Sequence, residues 1–441
     1  MQINKIAIAA LLLCGITQSQ AQEKKLMTLK EAVEIAVTNS DAASLARARV
    51  ETSNLELGVT KNSPYPSVKA TGQYMRLSSA NVDSNIQSNN SSGEPSRPLK
   101  VDQLMLGQVN ASVPLFNGFK ISNSIKESES IYKSETFSEK HSKEQIGLEV
   151  VEMFANLYKA QQMVDLIQDN LKSADQRVKD FTAMEQNGLI ARNDLLKSQL
   201  QQSNVQLSLD SAKKNTAIAN YRLITLLKLP ENTQVEIDID AVKRDMAANQ
   251  ANSELGERND LKSLELKKQA ADAGIKVAKA NYYPSLSLSG GYIAFDLNNV
   301  LTVTNAMNVG IGLSYDLSSI FKNSKNVKLA QSRSKESEIA VSLLTDQIKE
   351  EVFQANENYN LSLKQSAVYE KAVEQATENY RIVKDKYDNS LSDTNDLLEA
   401  DYQQLQSQIN QALSKADVAQ KYYELQFASG KLTSSLNITQ K

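Results

Sequence analysis

The residue types that usually carry catalysis are scarce in this chain. Its one histidine, His141, sits between Lys140 and Ser142 on a polar stretch and reads as a solvated helix residue. Its one cysteine, Cys14, lies in an N-terminal leader, so thiolate nucleophiles and soft zinc sites are excluded from the mature chain. No glycine-rich phosphate loop is present, and the sequence implies neither a cofactor nor an enzyme. Most carboxylates are spread along helical stretches, where i,i+4 surface pairing accounts for them. The exception is a group of acids set inside a segment that occurs twice: Asp194, Asp396 and Glu399. What such acids offer is fixed charge rather than turnover.

The repeated segment reads AMEQNGLIARNDLLKSQLQQ from Ala183 and DKYDNSLSDTNDLLEADYQQ from Asp385, 202 positions apart with eight identities. A second pair, VTKNSPYPSVKATGQY from Val59 and VAKANYYPSLSLSGGY from Val277, shares seven of sixteen positions. One supersecondary unit is therefore written twice. The expected boundaries are a leader at 1–21, a first repeat at 22–228, a connector at 229–255 with at most one small strand, and a second repeat at 256–441.

The leader has Lys5, an apolar run from Ile6 to Ile16 and the small-x-small site Ser19-Gln20-Ala21, which marks an exported protein. That run is too short for the ~20 residues of a spanning helix, and no later stretch is as apolar. Removing Lys5 with the leader moves the formal charge from −3 to −4, which argues against nucleic acid as a partner. Tryptophan is absent and polar residues abound, which suits long helices with narrow apolar seams better than several round cores.

Thr28 and Glu31 form a capping box for a first helix, each side chain expected to satisfy an orphan helix N–H. Further helices are expected at about 41–62 and 259–281, each ending at Tyr-Pro (Tyr65-Pro66, Tyr283-Pro284). The period then changes from 3.6 to 2. Leu286, Leu288, Gly290 and Tyr292 alternate with serines and Gly291; Met307, Val309, Ile311, Leu313 and Tyr315 alternate with Asn308, Gly310, Gly312 and Ser314. The first repeat alternates more weakly through Val68, Ala70 and Tyr74, then Val109, Ala111, Val113 and Leu115. Four strands are expected at about 66–77, 104–116, 284–295 and 305–316. At ~10 residues and a ~45° tilt each would span roughly 24 Å, the lipid-facing band of an outer-membrane barrel. A soluble hairpin with one buried face would show the same alternation. Tyr65, Tyr74, Tyr283 and Tyr292 suit interfacial anchors, and Tyr65 and Tyr283 equally suit turn packing. The loop SSANVDSNIQSNNSSGEPSRPLK between the first two strands is too polar to pack.

After each strand pair the chain is helical without proline, at about 120–187 and 322–389. About 68 residues at 1.5 Å each extend roughly 100 Å. In the first of these, Ile146, Val150, Met153, Leu157, Ala160, Val164, Ile167, Leu171, Ala174, Val178 and Phe181 step by 4 and 3, a coiled-coil seam. The register holds 202 residues later from Ile348 to Val383. Leu398, Tyr402, Leu405, Ile409, Ala412, Ala416, Ala419 and Tyr423 continue it in the second returning helix. In the first returning helix Asp210 and Lys214 interrupt the seam.

Four strands cannot close a barrel, and open edges do not survive in lipid, so several copies must pool them. At this point the chain resembles the TolC-type outer-membrane efflux family over essentially its whole mature length. The resemblance rests on Tyr-Pro-Ser before each first strand, Val113-Pro114-Leu115-Phe116-Asn117-Gly118, and the hairpin from Gly188 to Leu196 with its Asp-Leu-Leu. It implies a mainly α fold with a β membrane part: a homotrimer with a 12-stranded β-barrel, four strands per chain, continued by a long α-helical coiled-coil periplasmic tunnel. It also implies an outer-membrane exit duct of a tripartite efflux or type I secretion system. Its partners would be a periplasmic adaptor (membrane fusion) protein, an inner-membrane RND or ABC transporter, and outer-membrane lipid.

In that family the hairpin turns far from the strands close the tunnel. Carried over residue by residue, Asp396 and Glu399 fall on the acids that narrow its mouth, Tyr387 on a tyrosine of the tip network, and Asp194 on an acid of the first hairpin. Asn187, Gly188, Leu189, Asn389, Ser390 and Leu391 would form the adaptor-docking tips. Ser392 stands where an arginine latches the tip in some members, which puts that latch in doubt. Carboxylates ringed around one axis raise one another's pKa and attract cations. The plain alternative is that Asp194 and Asp396 only cap the returning helices. The rival for the whole chain is an exported coiled-coil scaffold or filament subunit, which leaves the four strands at matching places unexplained.

Overall fold

A computed structural model describes residues 23–82, 99–248, 256–298 and 300–438. The leader with Cys14, the centre of the polar loop (83–98) and the end of the connector (249–255) lie outside the described residues. The elements run β1 (Glu23–Met27), α1 (Leu29–Asn39), α2 (Asp41–Lys61), β2 (Ser67–Val82), β3 (Leu99–Phe116), α3 (Lys120–Gln186) and α4 (Arg192–Leu227). Then follow β4 (Thr233–Ile237), α5 (Ile239–Ala248), α6 (Asn259–Ala280), β5 (Ser285–Leu297), β6 (Leu301–Ser314), α7 (Ser319–Asp388), α8 (Thr394–Ala428) and a short α9 (Leu432–Ser435). The connector contains the one small strand expected and a helix that was not. Its order β4-α5 matches β1-α1, and the ten-residue helix is too short for periodicity to reveal.

By contacts the chain divides into two compact units, each drawing on both repeats. One comprises Met1–Ala48, Phe137–Leu261 and Leu344–Lys441; the other comprises Arg49–Thr136 and Lys262–Leu343.

The second of these units holds an antiparallel sheet ordered β2-β3-β5-β6. Its two hairpins join where β3 pairs with β5, for example Val109 with Tyr292 and Leu104 with Leu297. Gly291 is required there, since a Cβ on it would stand 2.6 Å from Asn110 Oδ1 and 2.7 Å from Val109 O. The strands have 16, 18, 13 and 14 residues, longer than expected. Ladder hydrogen bonds continue past the apolar stretch because the backbone pairs whatever the side chains are. Within the sheet, β2 and β6 each pair on one side only, and the β6 row Met307, Val309, Ile311 and Leu313 is strongly exposed. Tyr65, Tyr74 and Tyr283 are exposed as well.

In the first unit β1 pairs in parallel with β4, and the far edge of β4 is covered by side chains. Asn220 imitates a neighbouring strand: its Nδ2 donates to Thr233 O and its Oδ1 accepts from Val235 N, both at 2.9 Å. Gln161 Nε2 donates to Val235 O at 2.7 Å. The core gathers Met27, Leu29, Val33, Val150, Phe154, Leu157, Leu223, Ile224, Tyr422, Tyr423 and Leu432. Thr28 accepts from Glu31 N at 3.2 Å, whereas the Glu31 carboxylate pairs with Lys25 at 2.8 Å, so the capping box is only half made.

Every residue of the α3 seam from Ile146 to Phe181 is buried or half-buried, and the α7 seam follows it. Two expectations change. In α4, Asp210 and Lys214 are exposed and interrupt nothing; the buried line is Leu195, Ser198, Val205, Leu209 and Ala212. In α8 the expected seam from Leu398 to Tyr423 is buried or half-buried except at Tyr402, which is exposed while its neighbour Asp401 is buried. At that turn of α8 the buried side chain is Asp401, which pairs with Arg177. His141 is half-buried rather than solvated, its ring 6.1 Å from that of Phe427. Burial lowers its pKa, assisted by the Arg258 charge and opposed by Asp260 and Glu351. Arg258 itself is buried, donating to Asp260 (2.6 and 3.0 Å), Glu351 (2.6 Å) and Ala428 O (3.1 Å).

Candidate functional site

The two repeated hairpin turns have the same backbone. In the first, Gly188 N donates to Glu185 O (2.9 Å) and Leu189 N to Met184 O (2.8 Å). In the second, Ser390 N donates to Tyr387 O (2.9 Å) and Leu391 N to Lys386 O (2.7 Å). Asn187 and Asn389 each return a side-chain N–H to the carbonyl four residues back, at 2.7 Å. This is a helix stop with a left-handed residue after it. Gly188 takes φ +69° freely, whereas Ser390 holds +59° with a side chain attached. Leu189 and Leu391 project into solvent at 70% and 78% exposure.

Above the turns Phe181, Leu195 and Leu397 form a small core with Met184, Ile190, Tyr380, Val383 and Tyr387 around it. Phe181 and Tyr387 stack at 5.8 Å with rings 19° apart. The Tyr387 hydroxyl is buried and has no hydrogen-bond partner among the described residues. The ring, not the oxygen, makes this tyrosine's contact.

A cleft of about 950 Å³ opens beside this cluster, lined in part by Lys172, Arg177, Asp180, Asp194, Lys384 and Asp393. Asp194 and Tyr387 border it; Asp396 and Glu399 do not, and both are exposed. Asp194 approaches Lys197 at 3.8 Å. Asp396 accepts from Ser392 Oγ at 2.7 Å, and Glu399 from Gln403 Nε2 at 2.8 Å. Neither aspartate of the repeat is an N-cap. In α8 that place belongs to Asp393, whose side chain accepts from Asp396 N at 3.0 Å. In α4 the cap is Ala191, with no side-chain bond. Spacing alone could not separate a cap from a first-turn acid three residues on.

One pair was not legible in the sequence. Arg177 on α3 meets Asp401 on α8 through two contacts, at 3.1 and 3.2 Å, and both side chains are buried. Asn170 donates to the same carboxylate at 3.4 Å. Burial works against the Arg177 charge, but Asp401 and the Tyr380 oxygen outweigh it and hold its pKa above the ordinary value. Among the described residues no group of three or more His, Cys, Asp or Glu side chains is arranged to hold a metal ion.

A family model for outer membrane efflux proteins matches residues 32–227 and 251–431. The chain belongs to that family. As a member it is a mainly helical outer-membrane protein built from two repeats with a four-stranded share of a β-barrel. A search of characterised protein sequences finds none significantly similar. Solved structures agree in fold. The Campylobacter jejuni CmeC outer membrane channel is 18% identical, with 95% of this chain and 91% of that chain covered and a TM-score of 0.74. VceC of Vibrio cholerae is 16% identical, with 91% and 96% covered and a TM-score of 0.73. The open state of the Neisseria gonorrhoeae MtrE channel is 16% identical, with 92% and 89% covered and a TM-score of 0.72. No described helix is long and apolar enough to cross a membrane.

Proposed function

We propose that this efflux-family member is the exit duct of a tripartite efflux or type I secretion system and is not an enzyme. Three copies pool four strands each into a 12-stranded barrel, and their helices continue it into a periplasmic tunnel. The observation that carries this is a sheet with two open edges and a solvent-exposed apolar row, joined to hairpins through helices of 67 and 70 residues. A lipid-facing sheet with unpaired edges requires neighbours. Residues 22–228 and 256–441 serve as the two repeats, joined by 229–255. The exposed tips at Asn187, Gly188, Leu189, Asn389, Ser390 and Leu391 dock a periplasmic adaptor, which connects the duct to an inner-membrane RND or ABC transporter.

At the mouth Asp396 and Glu399 form no ion pair with a cation among the described residues, so their charge is available to the lumen and sets the cation preference. Asp194 and Tyr387 belong to the packing that closes the tip. The test is Asp396→Ala with Glu399→Ala in planar bilayers, expected to raise conductance and reduce cation selectivity. Unchanged conductance and selectivity would reject the gate. A processed protein that remains soluble without detergent would favour the coiled-coil scaffold instead.

A further inference from the structure

The sheet has a second face, which the duct reading turns toward the water-filled lumen. Register sets four residues side by side across it: Lys69 on β2 opposite Asn110 on β3, Asn110 opposite Gly291 on β5, and Gly291 opposite Asn308 on β6. Side chains alternate along a strand, so this row points away from the apolar neighbours Val68, Val109 and Val309. The next rows on the same face, from Ser67 to Gly310 and from Thr71 to Ala306, contain only uncharged residues. Lys69 is thus the one charge over three rows, about 14 Å of strand. It is exposed and forms no ion pair among the described residues.

Two further features suit the row to an anion. Asn110 and Asn308 both reach over Gly291, whose missing Cβ would stand 2.6 Å from Asn110 Oδ1 and 3.1 Å from Asn308 Oδ1. Two primary amides, each with N–H donors, therefore share the row with an ammonium. The other feature is a pair of lysines farther along the same face. Six residues down β5 from Gly291, roughly 20 Å away, Ser285 pairs with Ser314. Both border a cleft of about 510 Å³ where the strands meet the helices, lined also by Lys120 and Lys322. The one carboxylate of that cleft, Asp316, accepts from Ser318 N at 2.9 Å and from Ser318 Oγ at 2.6 Å.

We propose that Lys69, assisted by Asn110 and Asn308, forms an anion-favouring band inside the barrel, and that the cargo of the duct includes molecules carrying carboxylate or phosphate groups. This rests on the exit-duct reading and deepens it by naming a cargo class. Rotational symmetry puts every copy of Lys69 at one height, so the fixed positive charges face a single stretch of water. An anionic group is drawn to that band, and exposed side chains hold it weakly enough to let it leave.

The test uses the purified full-length oligomer in planar bilayers under a potassium chloride gradient, with the reversal potential giving the potassium-to-chloride permeability ratio. Salt screens charge beyond ~10 Å at 0.1 M and beyond ~3 Å at 1 M, so the band acts at the lower concentration. Lys69→Gln is expected to raise the ratio about twofold at 0.1 M and to leave it unchanged at 1 M. Lys69→Arg should keep the unmodified ratio. With inorganic phosphate replacing chloride, Lys69→Gln should lower the phosphate permeability by at least the same factor, and an unaffected phosphate permeability would overturn the cargo class. A ratio unchanged by Lys69→Gln at low salt would overturn the band itself. So would a Lys69→Arg variant that shifts the ratio as far as Lys69→Gln, since shape rather than charge would then decide. If Lys69→Gln does not assemble, Asn308→Asp adds a carboxylate to the row and decides instead: a raised ratio supports the band, and an unchanged one overturns it. An unmodified protein that forms no channel fails the duct reading, not the band.

Discussion

Exchanging the left-handed residue between the two turns isolates backbone strain from every other contact. Both turns make the same pair of hydrogen bonds, yet one has Gly188 at φ +69° and the other Ser390 at φ +59°. A side chain in this conformation costs about 1–2 kcal/mol, while glycine loses about 0.5–1 kcal/mol more than other residues in backbone entropy on ordering. Ser390→Gly should therefore stabilise its turn by a net ~0.5–1 kcal/mol. Gly188→Ala should weaken its own by the same amount. A Cβ on Gly188 meets nothing within 4 Å, so the cost there is conformational and not a clash. The natural readout is hydrogen exchange at Leu391 N and Leu189 N, which bond across the turns to Lys386 O and Met184 O. A change of ~0.5–1 kcal/mol in local opening is about 2–5-fold in exchange rate. Exchange in the peptide over 386–392 should slow by that factor in Ser390→Gly, and exchange over 184–190 should quicken in Gly188→Ala. Faster exchange in Ser390→Gly would refute the strain argument, because the serine would then be holding the turn through a contact of its own.

Two further outcomes follow from buried polar groups. Tyr387→Phe removes a hydroxyl that has no partner among the described residues and should leave denaturant stability unchanged or raised by up to about 1 kcal/mol, whereas Tyr387→Ala loses the Phe181 stack and about 2–4 kcal/mol. A Phe variant as damaged as the Ala variant would show that the oxygen matters. Glu144 is buried beneath α9, accepting from Thr433 N at 3.1 Å and from the Thr433 hydroxyl, and burial raises its pKa above the usual 4.5 against the pull of those bonds. A raised folded pKa gives stability that is complete below the unfolded value and lost as pH rises through the folded one. C-terminal protection from proteolysis should thus decline as pH rises above about 4.5 in the wild type and stay level in Glu144→Gln. Equal pH slopes for the two proteins would contradict it.

Sequence pattern was sufficient wherever one physical preference repeats many times over. The α3 seam is legible because eleven successive positions from Ile146 to Phe181 obey one spacing, and β5 and β6 because apolar and small residues alternate along them. The hairpin turns were legible through Asn187-Gly188-Leu189 and its copy Asn389-Ser390-Leu391. Where a single pair of side chains decides, pattern failed. Tyr402 is exposed where Asp401 is buried against Arg177, and no periodicity of α8 alone contains Arg177. His141 reads as polar beside Lys140 and Ser142, and only the return of α8 brings Phe427 against it.

The chain by itself determined the doubled unit, the change from period 3.6 to 2 and the position of both turns, since each is a local preference summed over neighbours in sequence. Only the tertiary structure decided that β3 zips to β5, that β1 finds β4 and that a carboxylate rather than Tyr402 faces the seam. Those choices are made by partners 170 to 224 residues away, whose hydrogen bonds and charges can be satisfied only once the helices have brought them together.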